Sequence, residues 1–315
     1  MEKKPRSFTQ LAGISLRGLA MGAADVIPGV SGGTIAFITG IYEELIGSIS
    51  NINLEALKKL KNEGVISFWK HVNGNFFVAL LIGIAISILS LARVVTYLLD
   101  EFPVLLWAFF FGLILGSTQL ILKTVKKWDV KTVIGLIIGT AIAAYISTIH
   151  VVASGGDSWY IILSGAIAIC AMILPGISGA FILVLLGSYA MVIEGLKNMD
   201  FVIIGLFCLG CLIGILSFSR LLKYLFDNYK NLVLATLSGF LIGSLLKIWP
   251  WKNAIGEAPL VIHSNGKEDW MMVNVLPDNF NGEPQLLYVV LLAIGGYLLV
   301  YLMDKFGSKS ENEKI

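Results

Sequence analysis

The chain is 315 residues long, 57% apolar and 14% charged, with a mean hydropathy of +0.83. Such a composition excludes an ordinary soluble globular domain, and a net charge of only +2 offers no field for a nucleic acid. Glycine, at 33 residues, stands above the ~7% norm, as close helix packing in a membrane requires.

In chain order, a short basic start (Lys3, Lys4, Arg6) leads into an apolar segment over 8–27. Arg17 interrupts that run ahead of the small residues Ala20 to Ala24, so it does not read as a signal peptide. The run then breaks at Pro28-Gly29-Val30-Ser31-Gly32-Gly33 and continues over 28–46. A polar stretch over 51–74 follows, and then three apolar helices are predicted at 76–99, 103–122 and 132–149. The same parts recur. An apolar segment over 159–174 breaks at Pro175-Gly176-Ile177-Ser178-Gly179-Ala180, continues over 175–193, and precedes helices at 201–226, 231–248 and 286–304. Between the last two, residues 250–285, with Trp251, Trp270, Pro259, Pro277 and Pro284, read as an outer loop lying on the membrane surface.

The recurrence is specific. Gly40-x-Tyr42 follows the first break and Gly187-x-Tyr189 the second, both at an offset of 147. Residues Leu89–Asp100 match Leu216–Asp227 at an offset of 127, and so do Gly112, Gly116 and Ser117 with Gly239, Gly243 and Ser244. The fold class expected is an all-α polytopic membrane protein of two inverted repeats, 1–150 and 151–315. Each repeat is a Pro-Gly-broken re-entrant hairpin (8–46 and 159–193) plus three transmembrane helices. Inversion follows from parity: a hairpin adds no net crossing, and three helices make an odd number. Charge agrees, because with the N-terminus inside, the cytoplasmic segments hold 16 Lys and Arg against 4 outside. Both termini are then cytoplasmic. From Pro28 to Tyr42 is 14 residues, roughly 21 Å if helical, which is less than a ~30 Å hydrocarbon core. That spacing predicts Tyr42 near the cytoplasmic headgroups, with Glu43 and Glu44 in water, and the two breaks meeting near the midplane.

Three sets of residues can carry chemistry. A break in a membrane helix is tolerated where it lines a cavity, and paired breaks mark transporter sites. Helices starting after Pro28 and Pro175 would present free N–H groups to an anion. Gly29, Gly32, Gly33, Gly176 and Gly179 allow close approach, and Ser31 and Ser178 add hydroxyls. The rival reading is a plain helix kink filled by neighbours. Arg93 and Arg220 sit seven residues before Asp100 and Asp227, at a depth where charge is expensive. They either receive an anionic headgroup, snorkel to the surface or pair with a buried acid. Asp25, whose counterpart is Met172, either caps the broken backbone or couples transport to a proton or sodium ion. Cys208-x-x-Cys211 reads as small residues on a membrane helix rather than a redox pair. His71, His150 and His263 have no metal-ligand spacing, so neither metal nor cofactor is expected.

The string Gly22-Ala23-Ala24-Asp25-Val26-Ile27-Pro28-Gly29-Val30-Ser31-Gly32-Gly33-Thr34, with Gly40-Ile41-Tyr42 and the second Leu174-Pro175-Gly176-Ile177-Ser178-Gly179, resembles the PopT family. Ala190 after Tyr189 departs from Glu43 after Tyr42, so a matched acidic role does not extend to the second half. The resemblance implies a bacterial plasma-membrane protein that returns undecaprenyl phosphate, a polyprenyl monophosphate, from outer to inner leaflet for cell-wall synthesis. The partners implied are that lipid and the membrane; a homodimer is left open. The competing function is a channel or exchanger for a small inorganic anion. A lipid phosphatase or transferase is disfavoured, because no His or Cys nucleophile accompanies a phosphate motif.

Overall fold

The computed structural model describes residues 6–25, 31–148, 158–256, 261–262 and 268–312. α1 (Phe8–Asp25) leads to two short helices, α2 (Gly32–Ile38) and α3 (Tyr42–Ser50). The polar stretch forms α4 (Leu54–Glu63), capped by the Asn53 side chain on Ala56 N, and α5 (Val65–His71). Then come α6 (Gly74–Glu101), α7 (Pro103–Thr124) and α8 (Val130–Thr148). The second series is α9 (Ser158–Ile173), α10 (Gly179–Leu185), α11 (Tyr189–Lys197), α12 (Phe201–Ser244) and α13 (Leu286–Asn312).

Helices α6, α7, α8 and α12 each contain a window long and apolar enough to cross a membrane. Leu81, Ile82, Ile86 and Leu89 on α6 are exposed, as suits a lipid-facing surface. α12 has 44 residues, about 66 Å at helical rise, twice a hydrocarbon core. It resolves this by folding back. Tyr229 leaves the helical region at φ −136°, ψ 41°, nearly the values of Phe102 between α6 and α7 (φ −133°, ψ 47°). Phe102 and Tyr229 are 127 residues apart, so α12 is two arms equivalent to α6 and α7.

The short helices correspond as closely. α2 and α10, and α3 and α11, start and end 147 residues apart. Between each pair a glycine turns the chain: Gly40 at φ +73° and Gly187 at φ +67°, where a Cβ would be strained. Helix crossings recur at the same offsets. Gly18 lies against the Leu80 carbonyl and Gly165 against that of Phe207, while Gly83 meets Ser15 and Gly210 meets Ile162. Likewise α7 crosses α13 through Gly112 on Ala293, Gly116 on Tyr297 and Gly296 on Phe109. The second arm of α12 crosses α8 through Gly239 on Leu136, Gly243 on Thr140 and Gly139 on Thr236. At each crossing a side chain would collide with backbone, so these glycines set the interhelical approach.

Two expectations are corrected. The post-break segment 28–46 is not one helix: the turn at Gly40 divides it, and α2 spans only about 10 Å. Tyr42 lies in the core, 1% exposed, against Phe37 and Phe226. Glu43 and Glu44 remain partly exposed but are paired, with Lys230 and Arg6 respectively. The loop over 250–285 is folded, and it makes the chain not purely helical. β1 (Lys252–Ile255) pairs antiparallel with β4 (Met271–Asn274), and β2 (Val261–Ile262) with β3 (Glu268–Asp269). Trp249 and Trp251 anchor this ribbon by donating to the Val275 and Pro284 carbonyls, and Trp251 packs with Ala108 and Val289.

Candidate functional site

The first break is shaped by Asp25 and Ser31. Asp25, ending α1, accepts from the Gly32 N–H through Oδ1 at 2.6 Å. Ser31 is the N-cap of α2: its Oγ accepts from the Gly33 N–H at 3.1 Å and donates to the Met172 carbonyl at 2.8 Å. Met172 belongs to the second half, so this bond ties one break to the other. A second tie runs the opposite way: the Gly176 N–H donates to Thr34 Oγ1 at 2.8 Å. Thr34 and Ser31 are fully buried, as is Pro175. Gly33 packs so closely on the Ile173 carbonyl that a Cβ would lie 2.5 Å from it.

Glycine is needed at 176 for two reasons. Its φ is +85°, and a Cβ there would stand 2.7 Å from the Phe240 carbonyl. Gly179 sits against the Ala168 carbonyl in the same manner. The two breaks meet through the Ser31 and Thr34 hydroxyls and the close packing of Gly33 on the Ile173 carbonyl.

The N–H groups at Gly32, Gly33 and Gly176 are not free in this arrangement; each has an acceptor from the protein itself. The carboxylate of Asp25 sits at the start of α2, where the sequence reading expects an anion. In addition α2 and α10 have seven residues each, too short for much of a macrodipole. Ser178 differs from Ser31. Its Oγ accepts from Phe181 N at 3.4 Å, and its proton goes to no protein acceptor among the described residues. Pro28 and Gly29 lie outside the described residues, as does the side chain of Arg93, which the backbone places in α6. Arg220 is on the exposed surface of α12 and donates to the Ile52 carbonyl at 3.2 Å, just beyond α3; this contact does not join it to the breaks. The cysteine pair is unlinked, with Cys211 Sγ against the Gly165 carbonyl in a glycine crossing.

Beside the second break is a crevice that sequence reasoning missed. It is lined by Gly176, Ser178, Phe181, Ala143, Ser147 and Lys247. Lys247 Nζ lies 3.8 Å from the centre of the Phe181 ring, and Lys252 Nζ lies 4.4 Å from that of Trp107. Lys252 also donates to the Lys247 carbonyl. Burial lowers the pKa of Lys247, and burial together with the charge of Lys247 pushes Lys252 down to about 7. In the sequence both count merely among the four lysines of the outer segments, with Lys197 and Lys267. The available clue was a departure from the repeat, since Lys247 stands where the first half has Leu120, and Phe181 where it has Thr34.

Glycine-crossed apolar helices and two backbone breaks in direct contact define a polytopic helical membrane protein with a transporter-like centre. Residues 21–264 match the undecaprenyl phosphate translocase-like family, and the chain belongs to that family. It is 42% identical over 299 residues to a "Polyprenyl-phosphate transporter" of Vibrio cholerae serotype O1, covering 93% of this chain and 96% of that protein. It is 31% identical over 257 residues to a "Polyprenyl-phosphate transporter" of Staphylococcus aureus, covering 75% and 85%. No solved structure matches. The resemblance carried by the doubled break is thus borne out, and the matched region takes in both breaks and both lysines.

Proposed function

We propose that the protein is a flippase that moves undecaprenyl phosphate, or a related polyprenyl monophosphate, from the outer to the inner leaflet of the bacterial plasma membrane. The step recycles a lipid carrier of peptidoglycan synthesis and involves no bond chemistry, so the protein is not an enzyme. The headgroup carries one to two negative charges and cannot cross ~30 Å of hydrocarbon unaided. A protein path must replace its water while the prenyl tail stays in lipid.

The observation that carries this reading is the contact of the two breaks through Ser31 with Met172 and Thr34 with Gly176. In the proposed arrangement the halves are inverted, α1–α3 and α9–α11 are re-entrant, and both termini are cytoplasmic. The breaks then approach from opposite leaflets, and their contact is the closed middle of the path. Only a few hydrogen bonds hold it, each worth about 1 kcal/mol net, so a binding headgroup can exchange them for its own. Asp25 is the proton or cation candidate: for phosphate to take the Gly32 N–H, the carboxylate must move away or be neutralised.

The test is flipping of fluorescent undecaprenyl phosphate in proteoliposomes, measured beside chloride flux. Lipid flipping without chloride flux is expected. Chloride flux without lipid flipping would assign the chain to the anion-channel class instead.

A further inference from the structure

We infer that Lys247 and Lys252, together with the Ser178 hydroxyl, form a docking site for a phosphate group beside the second break, on the face covered by the β1–β4 ribbon. The inference rests on the transport reading and adds to it the point where the headgroup is first held.

Ser178 and Lys247 line one crevice, and Lys252 adjoins it through its bond to the Lys247 carbonyl. Lys247 follows the second arm of α12, Lys252 opens β1, and Ser178 caps α10. Both ammonium groups are partly buried on aromatic faces, and neither has a carboxylate within ion-pair reach among the described residues. Cations withdrawn from water without a counter-ion are costly, and two adjacent ones repel. A phosphate dianion answers both costs, since it pairs with two ammonium groups and accepts from a hydroxyl. Aromatic faces hold such cations moderately, by about 0.5–2 kcal/mol, so they can swing to a stronger partner. The crevice itself holds about 10 Å³, room for one water. Phosphate therefore enters as Lys247 leaves the Phe181 ring, with the ammonium staying on the anion. The first half offers no equivalent, because Leu120 and Thr34 stand in the corresponding positions. The site is one-sided.

A phosphate group can come from a prenyl lipid or from free phosphate, and the two are separable. The full chain is placed in nanodiscs of phosphatidylcholine and phosphatidylglycerol and titrated with farnesyl phosphate, farnesol and inorganic phosphate at pH 6.5. Wild type is expected to bind farnesyl phosphate, with farnesol and millimolar inorganic phosphate failing to compete. Lys247→Gln and Lys252→Gln should each weaken binding tenfold or more, and Lys247→Arg by less than threefold. If both Gln variants melt like wild type and bind within twofold, the docking site is refuted, while transport stands on wild-type flipping. Melting lowered with affinity unchanged refutes it equally, since the lysines then only anchor the ribbon. Should the variants not fold, reductive methylation of wild type decides. Protection of both lysines by farnesyl phosphate supports the site, and equal methylation with and without it overturns it. Competition by inorganic phosphate overturns the assignment to a lipid. A wild type that neither binds nor flips prenyl phosphate overturns the transport reading as well.

Discussion

Thr34→Val isolates the contact between the breaks. Valine has nearly the shape of threonine, so no cavity opens at this fully buried position; what disappears is the acceptor for the Gly176 N–H. That donor cannot turn elsewhere, because Gly176 is held at φ +85° against the Phe240 carbonyl. A buried donor left unsatisfied costs about 1–3 kcal/mol. In a chain of this size that corresponds to a melting temperature lower by roughly 1.5–4.5 °C. Thr34→Ser keeps the oxygen and should recover most of the loss. The assay is thermal unfolding in nanodiscs, run beside prenyl phosphate flipping. If the valine variant melts within 1 °C of wild type, the breaks are not coupled through this bond and the closed-middle account fails.

Other substitutions test other parts. Gly176→Val joins a strained φ to a collision with backbone and should abolish flipping with loss of folded protein, whereas Gly47→Ala, with open space around it, should do neither; expression and flipping read both. Arg220→Ala should abolish flipping while insertion persists, with Lys rescuing in part; full complementation of a recycling-deficient strain by the alanine variant would remove its headgroup role. Single cysteines at 58 and 253, in a cysteine-free background, should label with an impermeant reagent from outside only at 253. Rising pH should have two opposite effects. From about 7 to 10.5 the unfolded chain holds a proton that Lys252 has shed in the folded one, so stability rises. Over the same range a phosphate monoester is already dianionic, so loss of the ammonium weakens farnesyl phosphate binding. Melting curves and titrations at pH 6.5 and 9.5 check both.

Local features were legible in the sequence and long-range pairings were not. Apolar length marked α6, α7 and α8, and the matched Gly-x-Tyr marked the ends of the short helices. The meaning of Gly40 and Gly187 was misjudged, since a glycine in an apolar run can be a packing residue or a turn. Only the positive φ distinguishes them. Nor does any local pattern show that Tyr42 packs on Phe226 from 184 positions away. The N–H groups of the breaks looked free because their acceptors lie elsewhere. Thr34 and Gly176 are 142 residues apart, and no local pattern pairs them. The β1–β4 ribbon was hidden for a similar reason, its strands being four residues each and separated by a long connection.

On the proposed inverted topology the two halves would also hold an anion unequally, while the lipid gradient would set the net direction of passive movement. An inverted repeat with identical halves would present the same site to both leaflets and favour neither. Here the backbone correspondence is close, down to the dihedrals of Phe102 and Tyr229, while the charges at the breaks differ. The first break has Asp25 where the second has Met172, and the second has Lys247 where the first has Leu120. On the proposed site an anion at the second break would be attracted; at the first it would meet a carboxylate already seated on the Gly32 N–H. On the proposed topology the attracting side faces outward, which suits capture from the outer leaflet. The repelling side faces the cytoplasm and suits release. Downhill movement needs nothing further, and neutralising Asp25 as the headgroup passes would let an ion gradient drive the step.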